Sequence, residues 1–154
     1  MTTLLNGQKV SKNDPIIHFT GTADELNSHL GLVKALLDDG DTRLFIEEIQ
    51  KNLMKLMSHV SDTADDKYIF TGSETACLEK EIERLSALIP KKSQFVLPGR
   101  DAIEAQIHIA RTVARRAERM FTAVNEQIQL CPDAGVYLNK LSGYLFVLSQ
   151  LPRN

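Results

Sequence analysis

Apolar residues return every three or four positions along most of this chain, and no stretch shows the period-two alternation of a half-buried strand. Leu26, Leu30, Val33 and Leu37 make one such stripe, and Phe45, Ile49, Leu53, Leu56, Met57 and Val60 a longer one. Leu78, Ile82, Leu85 and Ile89 make a third, and Ile107, Ala110, Ala114, Ala117 and Phe121 a fourth. Leu138, Leu141, Leu145 and Leu148 make the fifth. A stripe of this kind covers one side of a helix and must be buried against another element. Five of them in 154 residues predict an all-α, up-and-down five-helix bundle, ferritin-like in general architecture.

Caps and breakers divide the stripes. Residues 1–20 read as irregular, punctuated by Gly7, Asn13, Asp14 and Pro15 and made locally basic by Lys9 and Lys12. Thr22 and Glu25 have capping-box spacing, so the first helix is expected from Thr22 or Ala23 to about Leu37, ended by Asp38-Asp39-Gly40. Asp41 or Thr42 opens the second. The polar run Ser61 to Gly72 reads as a loop, and Thr71-Gly72-Ser73-Glu74 as the box that opens a third helix, stopped by Pro90. Lys91 to Arg100 is a connection holding the apolar run Phe95-Val96-Leu97-Pro98-Gly99. Such a run needs cover, and packing against the bundle is its commoner fate than covering by a ligand. Asp101 and Glu104 cap a fourth helix reaching about Val124. After a turn over Gln127 to Pro132, a fifth runs from near Asp133 to about Leu151, with Asn139, Gly143 and Phe146 off its inward face.

The length suits a single domain, 1–154. With 18 basic and 20 acidic residues the net charge is -2, which argues against a general nucleic-acid or membrane binder. Cys77 and Cys131 form neither a metal pair nor a disulfide framework, and the amino terminus shows no signal-peptide core, so a cytoplasmic protein is expected.

Against this near-neutral background, His108 to Arg119 stands out. Arg111, Arg115, Glu118 and Arg119 fall at three- and four-residue steps and share a helix face, which His108 extends by a turn. Arginines on a rigid rod can hold phosphate oxygens in bidentate geometry, so the strip is a candidate polyphosphate or nucleotide site; a solvated face with local Arg–Glu pairs is the plainer alternative. Other chemistries lack their residues. Glu25 to His29 and Glu104 to His108 are one residue too long for the Glu-x-x-His of a di-metal bundle, and no zinc-type cluster, Walker loop, Rossmann glycine pattern or nucleophile elbow is present. His59, near the second seam, reads as a core or boundary histidine.

Three stretches in order carry a resemblance: Gly21-Thr-Ala-Asp-Glu-Leu-Asn27; Phe95-Val-Leu-Pro-Gly99 followed by His108 to Arg119; and Tyr137-Leu-Asn-Lys-Leu-Ser142 with Tyr144-Leu-Phe146. Together they resemble the ATP:cob(I)alamin adenosyltransferases of the propanediol-utilisation type, over nearly the whole chain from Thr2 onward. The resemblance implies a five-helix bundle that assembles as a homotrimer with sites between subunits. It implies transfer of the 5′-deoxyadenosyl group of ATP to cob(I)alamin, with Mg2+ accompanying ATP and no resident metal. A reductase and an enzyme that accepts the finished cofactor are the implied partners. Carried over by motif, Arg115, Arg116, Glu118, Arg119 and Asn139 belong to the ATP site, with Thr2, Thr3 and Lys12 reaching it from the amino-terminal segment. Arg115 would stabilise the leaving group. Asp24 and Arg111 match a pair that joins two subunits at the corrinoid-facing site, and Phe95 matches the aromatic that keeps the lower axial ligand off cobalt.

The chain departs from the pattern in three places. The family's Thr-Gly-Asp-x-Gly phosphate loop would precede Thr2, where this sequence has only Met1. Gly143 stands where the family has an aspartate, and Arg100 where a second glycine follows Gly99. The first two motivate an alternative, a non-catalytic relative that binds or delivers a corrinoid or nucleotide.

Overall fold

Asp14 and Pro15 start the first helix, earlier than the Thr22–Glu25 spacing suggests. The computed structural model describes residues 1–90 and 95–153. In it α1 spans Pro15–Leu36, with the Asp14 side chain accepting from the Ile16 amide at 2.9 Å and Pro15 in the first turn, where its missing N–H costs nothing. Thr22 is buried inside α1 rather than capping it. The stripe therefore begins about two turns earlier, with Phe19 fully buried. Before it, Thr2–Thr3 (β1) and Lys9–Val10 (β2) pair antiparallel around Gly7, whose φ of 86° suits glycine. Part of the segment expected to be irregular is thus a two-stranded ribbon and another part is helix.

The other helices lie close to expectation. They are α2 (Gly40–Ser61), α3 (Ser73–Ser86), α4 (Ala102–Asn125) and α5 (Pro132–Gln150), with a single 3₁₀ turn at Asp66–Tyr68. Asp39 caps α2 through the Asp41 amide and the Thr42 hydroxyl. At α3 the expected box forms by half. Gly72 takes the cap position at φ 93°, while Glu74 reaches back to the Thr71 amide at 3.1 Å. The helix stops at Ser86 and unwinds through turns to Ile89, short of Pro90. The connection expected over 91–100 lies partly outside the described residues. In its described part Val96 is half-buried and Arg100 is tied to the end of α5, but the largest apolar side chains stay uncovered: Phe95 and Leu97 are 109% and 89% exposed.

Contacts fix the topology. Phe19 meets Phe121, Glu25 meets Arg116 and His29 meets Gln106, so α1 and α4 run antiparallel. Phe121 lies against Gly135 and His108 against Phe146, which makes α4 and α5 antiparallel. Lys140–Glu79 and Asp133–Gly72 set α3 parallel to α5, and Lys55–Glu74 joins α2 to the start of α3. Direction alternates along the chain, the up-and-down bundle expected. All five stripes meet in one core whose centre includes Leu30, Leu53, Leu78, Ile107 and Leu138. No helix of the described residues is long and apolar enough to cross a membrane.

Candidate functional site

α4 is the element that sets the site. Asp101 accepts from the Glu104 amide at 2.8 Å, and the Glu104 carboxylate turns back to the amides of Gly99 (2.6 Å) and Arg100 (3.2 Å). That reciprocal cap fixes where the helix begins, and therefore which way each arginine faces. Ile107, Ala110, Ala114 and Ala117 bury its inner side, leaving Arg115 and Arg119 exposed and Arg111, Arg116 and Glu118 half-buried along the edge.

The arginines divide by partner. Arg116 reaches α1 and pairs with Glu25 at 2.7 Å. Arg111 donates from Nε to His108 Nδ1 at 3.1 Å. Arg115 and Arg119 make no ion pair among the described residues, so two guanidinium forks point outward unspent. His108 was expected on the cationic face and is instead buried, 4% exposed, with burial and the Arg111 charge both lowering its pKa. Sequence spacing alone missed this, because α5 brings Phe146 over the ring from outside the helix.

The remaining expected residues are distributed around α4. The pairing of Phe121 with Gly135 and of His108 with Phe146 sets Asn139 level with Arg115 and Arg116, on an exposed position of α5. Gly143, one turn on, is exposed, and a Cβ there would meet nothing within 4 Å. Asp24 is exposed on α1 beside Glu25 and makes no ion pair with Arg111 within the chain. Thr2, Thr3 and Lys12 precede α1, toward the end of the bundle where α4 finishes; Phe95 lies before α4, toward the opposite end. The structure thus brings Arg115, Arg116 and Asn139 to one level, with the amino-terminal residues and Phe95 toward opposite ends of α4.

A cavity of about 680 Å³ opens between the end of α1, the start of α4 and the end of α5. Asp38, Asp39 and Asp101 line it with Arg153 over an apolar floor. Three carboxylates repel phosphate, so this cavity does not suit a polyanion. The arginine strip instead lies on an open face, with Arg115 and Arg119 exposed.

Residues 1–151 match the family model for cobalamin adenosyltransferase. The chain belongs to the cobalamin adenosyltransferase family. Relatives include a corrinoid adenosyltransferase PduO of Citrobacter freundii, 34% identical over 97% of this chain and 46% of its own length. A cobalamin adenosyltransferase of Cupriavidus metallidurans is 36% identical over 97% of this chain and 81% of its own. The chain spans less than half the length of the PduO relatives from Citrobacter and Salmonella. Among solved structures, a Phe→Ala variant of a PduO-type ATP:corrinoid adenosyltransferase from Lactobacillus reuteri, complexed with cobalamin and ATP, superposes with a TM-score of 0.89. It is 30% identical and covers 99% of this chain and 94% of that one. An Arg→Lys variant complexed with ATP gives 0.86 at 31% identity, over 97% of this chain and 86% of that one.

Proposed function

We propose that this chain transfers the 5′-deoxyadenosyl group of ATP to cob(I)alamin, giving adenosylcobalamin and triphosphate. The observation that carries the reading is the pair Arg115 and Arg119, two outward guanidinium groups on the α4 of a family fold, with Asn139 of α5 at the same level of the bundle. Relatives across the family bear enzyme names, which favours catalysis over the non-catalytic alternative.

The chemistry asks little of the protein as a base. The Co(I) electron pair forms the cobalt–carbon bond as the ribose 5′ C–O bond breaks, and the oxygen leaves with its pair on triphosphate. The protein must align the carbon and absorb the leaving charge. Arg115 takes the leaving-group role, Arg119 and Arg116 hold phosphate, and Asn139 orients the nucleoside. Arg116 is held by Glu25, so it contributes from a fixed position. Thr2, Thr3 and Lys12 would reach the phosphates. Magnesium, carried on the triphosphate, would neutralise part of its charge; Glu118, a carboxylate of the strip without an ion-pair partner among the described residues, suits its hydration shell. Phe95, exposed and apolar, suits the lower corrinoid face, where it would exclude water from cobalt.

An open strip and an uncompensated Asp24 and Arg111 fit a site shared between copies, in which Asp24 of one subunit meets Arg111 of the next. The proposed assembly is a homotrimer in the cytoplasm. A reductase supplying Co(I) and an enzyme that accepts the product are the partners it requires. The test is an anaerobic assay with chemically reduced cob(I)alamin, ATP and magnesium, following the cobalt–carbon product by its visible spectrum. Product is expected from the wild type and none from Arg115→Ala with its helical content intact. Near-normal turnover in that variant overturns the assignment of Arg115. Light scattering should give three times 17.2 kDa.

A further inference from the structure

Two buried polar residues of α4, Glu104 and His108, have no place in the chemistry above. They are 2% and 4% exposed, among the few charged or titratable side chains this deeply buried. Their contacts run in one line along the helix. Glu104 Oε1 accepts the Gly99 and Arg100 amides at the root of the Phe95–Gly99 segment. Gly99 is held there at φ 115°, a conformation that favours glycine. Glu104 Oε2 lies 3.9 Å from His108 Nε2, and His108 Nδ1 accepts from Arg111 Nε at 3.1 Å. Arginine can only donate, so a neutral ring must carry its proton on Nε2, facing the carboxylate. That Nε2 is buried with no hydrogen-bond partner. Arg100 adds an anchor, donating to the Ser149 and Leu151 carbonyls at the end of α5.

We propose that Glu104 and His108 are positioning residues for the corrinoid half of the site, one buried pair holding both the Arg111 guanidinium and the root of the segment that bears Phe95. This rests on the reading of Phe95 and Arg111 as corrinoid-facing. Binding Arg111 through Nε leaves its two terminal amines free to meet a carboxylate from a neighbouring copy, in a fixed orientation. Glu104 holds the loop from the other side of the same ring, so the spacing between the two corrinoid-facing groups is set from inside the bundle. Neither residue touches substrate.

The test separates positioning from general structure. His108→Leu removes the acceptor for Arg111; His108→Asn keeps an acceptor near the Nδ1 position. In the cob(I)alamin assay, His108→Leu is expected to raise the corrinoid KM about tenfold, with the ATP KM within twofold and the ATP-induced rise in Tm unchanged. His108→Asn should recover most of the loss. Equal changes in both KM values, no change in either, or identical behaviour of the two variants would overturn the proposal. If the wild type forms no product, the proposed function has failed, and the geometry is read directly by NMR. The Arg111 Nε–H resonance should be protected from exchange in the wild type and His108→Asn and lost in His108→Leu. An unprotected resonance in the wild type overturns the positioning role whatever the activity.

Discussion

Two tyrosines of α5 offer a controlled comparison of a satisfied and an unsatisfied buried hydroxyl. Tyr137 and Tyr144 are 1% and 0% exposed and each packs against a phenylalanine, Phe70 and Phe45 respectively. Burial raises the pKa of both, so both hydroxyls are protonated at neutral pH. They differ in one contact. Asn52 donates to the Tyr137 hydroxyl at 3.2 Å, whereas the Tyr144 hydroxyl has no partner. A buried hydrogen bond contributes about 1 kcal/mol net, and an unpaired buried hydroxyl costs about 1–3 kcal/mol. Tyr137→Phe should therefore lose about 1 kcal/mol and leave the Asn52 amide without its acceptor. Tyr144→Phe removes the unpaired group and keeps the ring, so it should gain about 1 kcal/mol, less a small loss of packing where the oxygen was. For a domain of this size each kcal/mol moves Tm by about 2–4 °C, so the variants should separate by about 4–8 °C. Urea unfolding followed by circular dichroism, with a shared m-value, measures the difference. Equal destabilisation by both substitutions would refute the reasoning, since it would mean that the Tyr144 hydroxyl is satisfied in the folded protein.

Gly143→Ala should stabilise the protein by about 1 kcal/mol, because the position is mid-helix and a Cβ meets open space; a thermal melt that does not rise would contradict this. The same room should admit Gly143→Asp without loss of fold, and comparing the KM for ATP of the two variants would show whether a carboxylate one turn from Asn139 serves the nucleotide. Acid should weaken the fold in two steps. His59 and His108 have pKa values lowered by burial, so the unfolded chain takes up protons first: their contribution is whole above about pH 6.5 and lost as pH falls through the lower folded values. Asp39 and Glu74, whose folded pKa values are also lowered, add a second loss below about pH 4. His59→Gln keeps an acceptor for the Cys131 amide, which His59 Nε2 holds at 3.0 Å, and should flatten the upper step in pH-dependent urea midpoints; an unchanged slope would remove His59 from the account.

What the sequence disclosed follows from how locally each feature is encoded. The seams and the Asp101–Glu104 cap lie within a turn or two of chain, so five helices and the facing of the α4 arginines were legible. The start of α1 was misread because two cap signals compete there. Thr22–Glu25 has the spacing of a box, but Asp14-Pro15 comes first and Phe19 has a place in the core, so the helix continues through Gly21. Glu25 is then released from capping to pair with Arg116, a contact across 91 residues that no local pattern could announce. The burial of His108 is the same case, since its cover comes from Phe146 on α5. These two long-range contacts divide the strip. Arg116 is tied to α1 and Arg111 to the buried histidine, while Arg115 and Arg119 remain outward. A cationic face uniform in sequence becomes, in three dimensions, two anchored arginines flanking two exposed ones. That division suits a site which must grip a polyanion at one level and orient a separate ligand a turn away, and a merely solvated face would not require it.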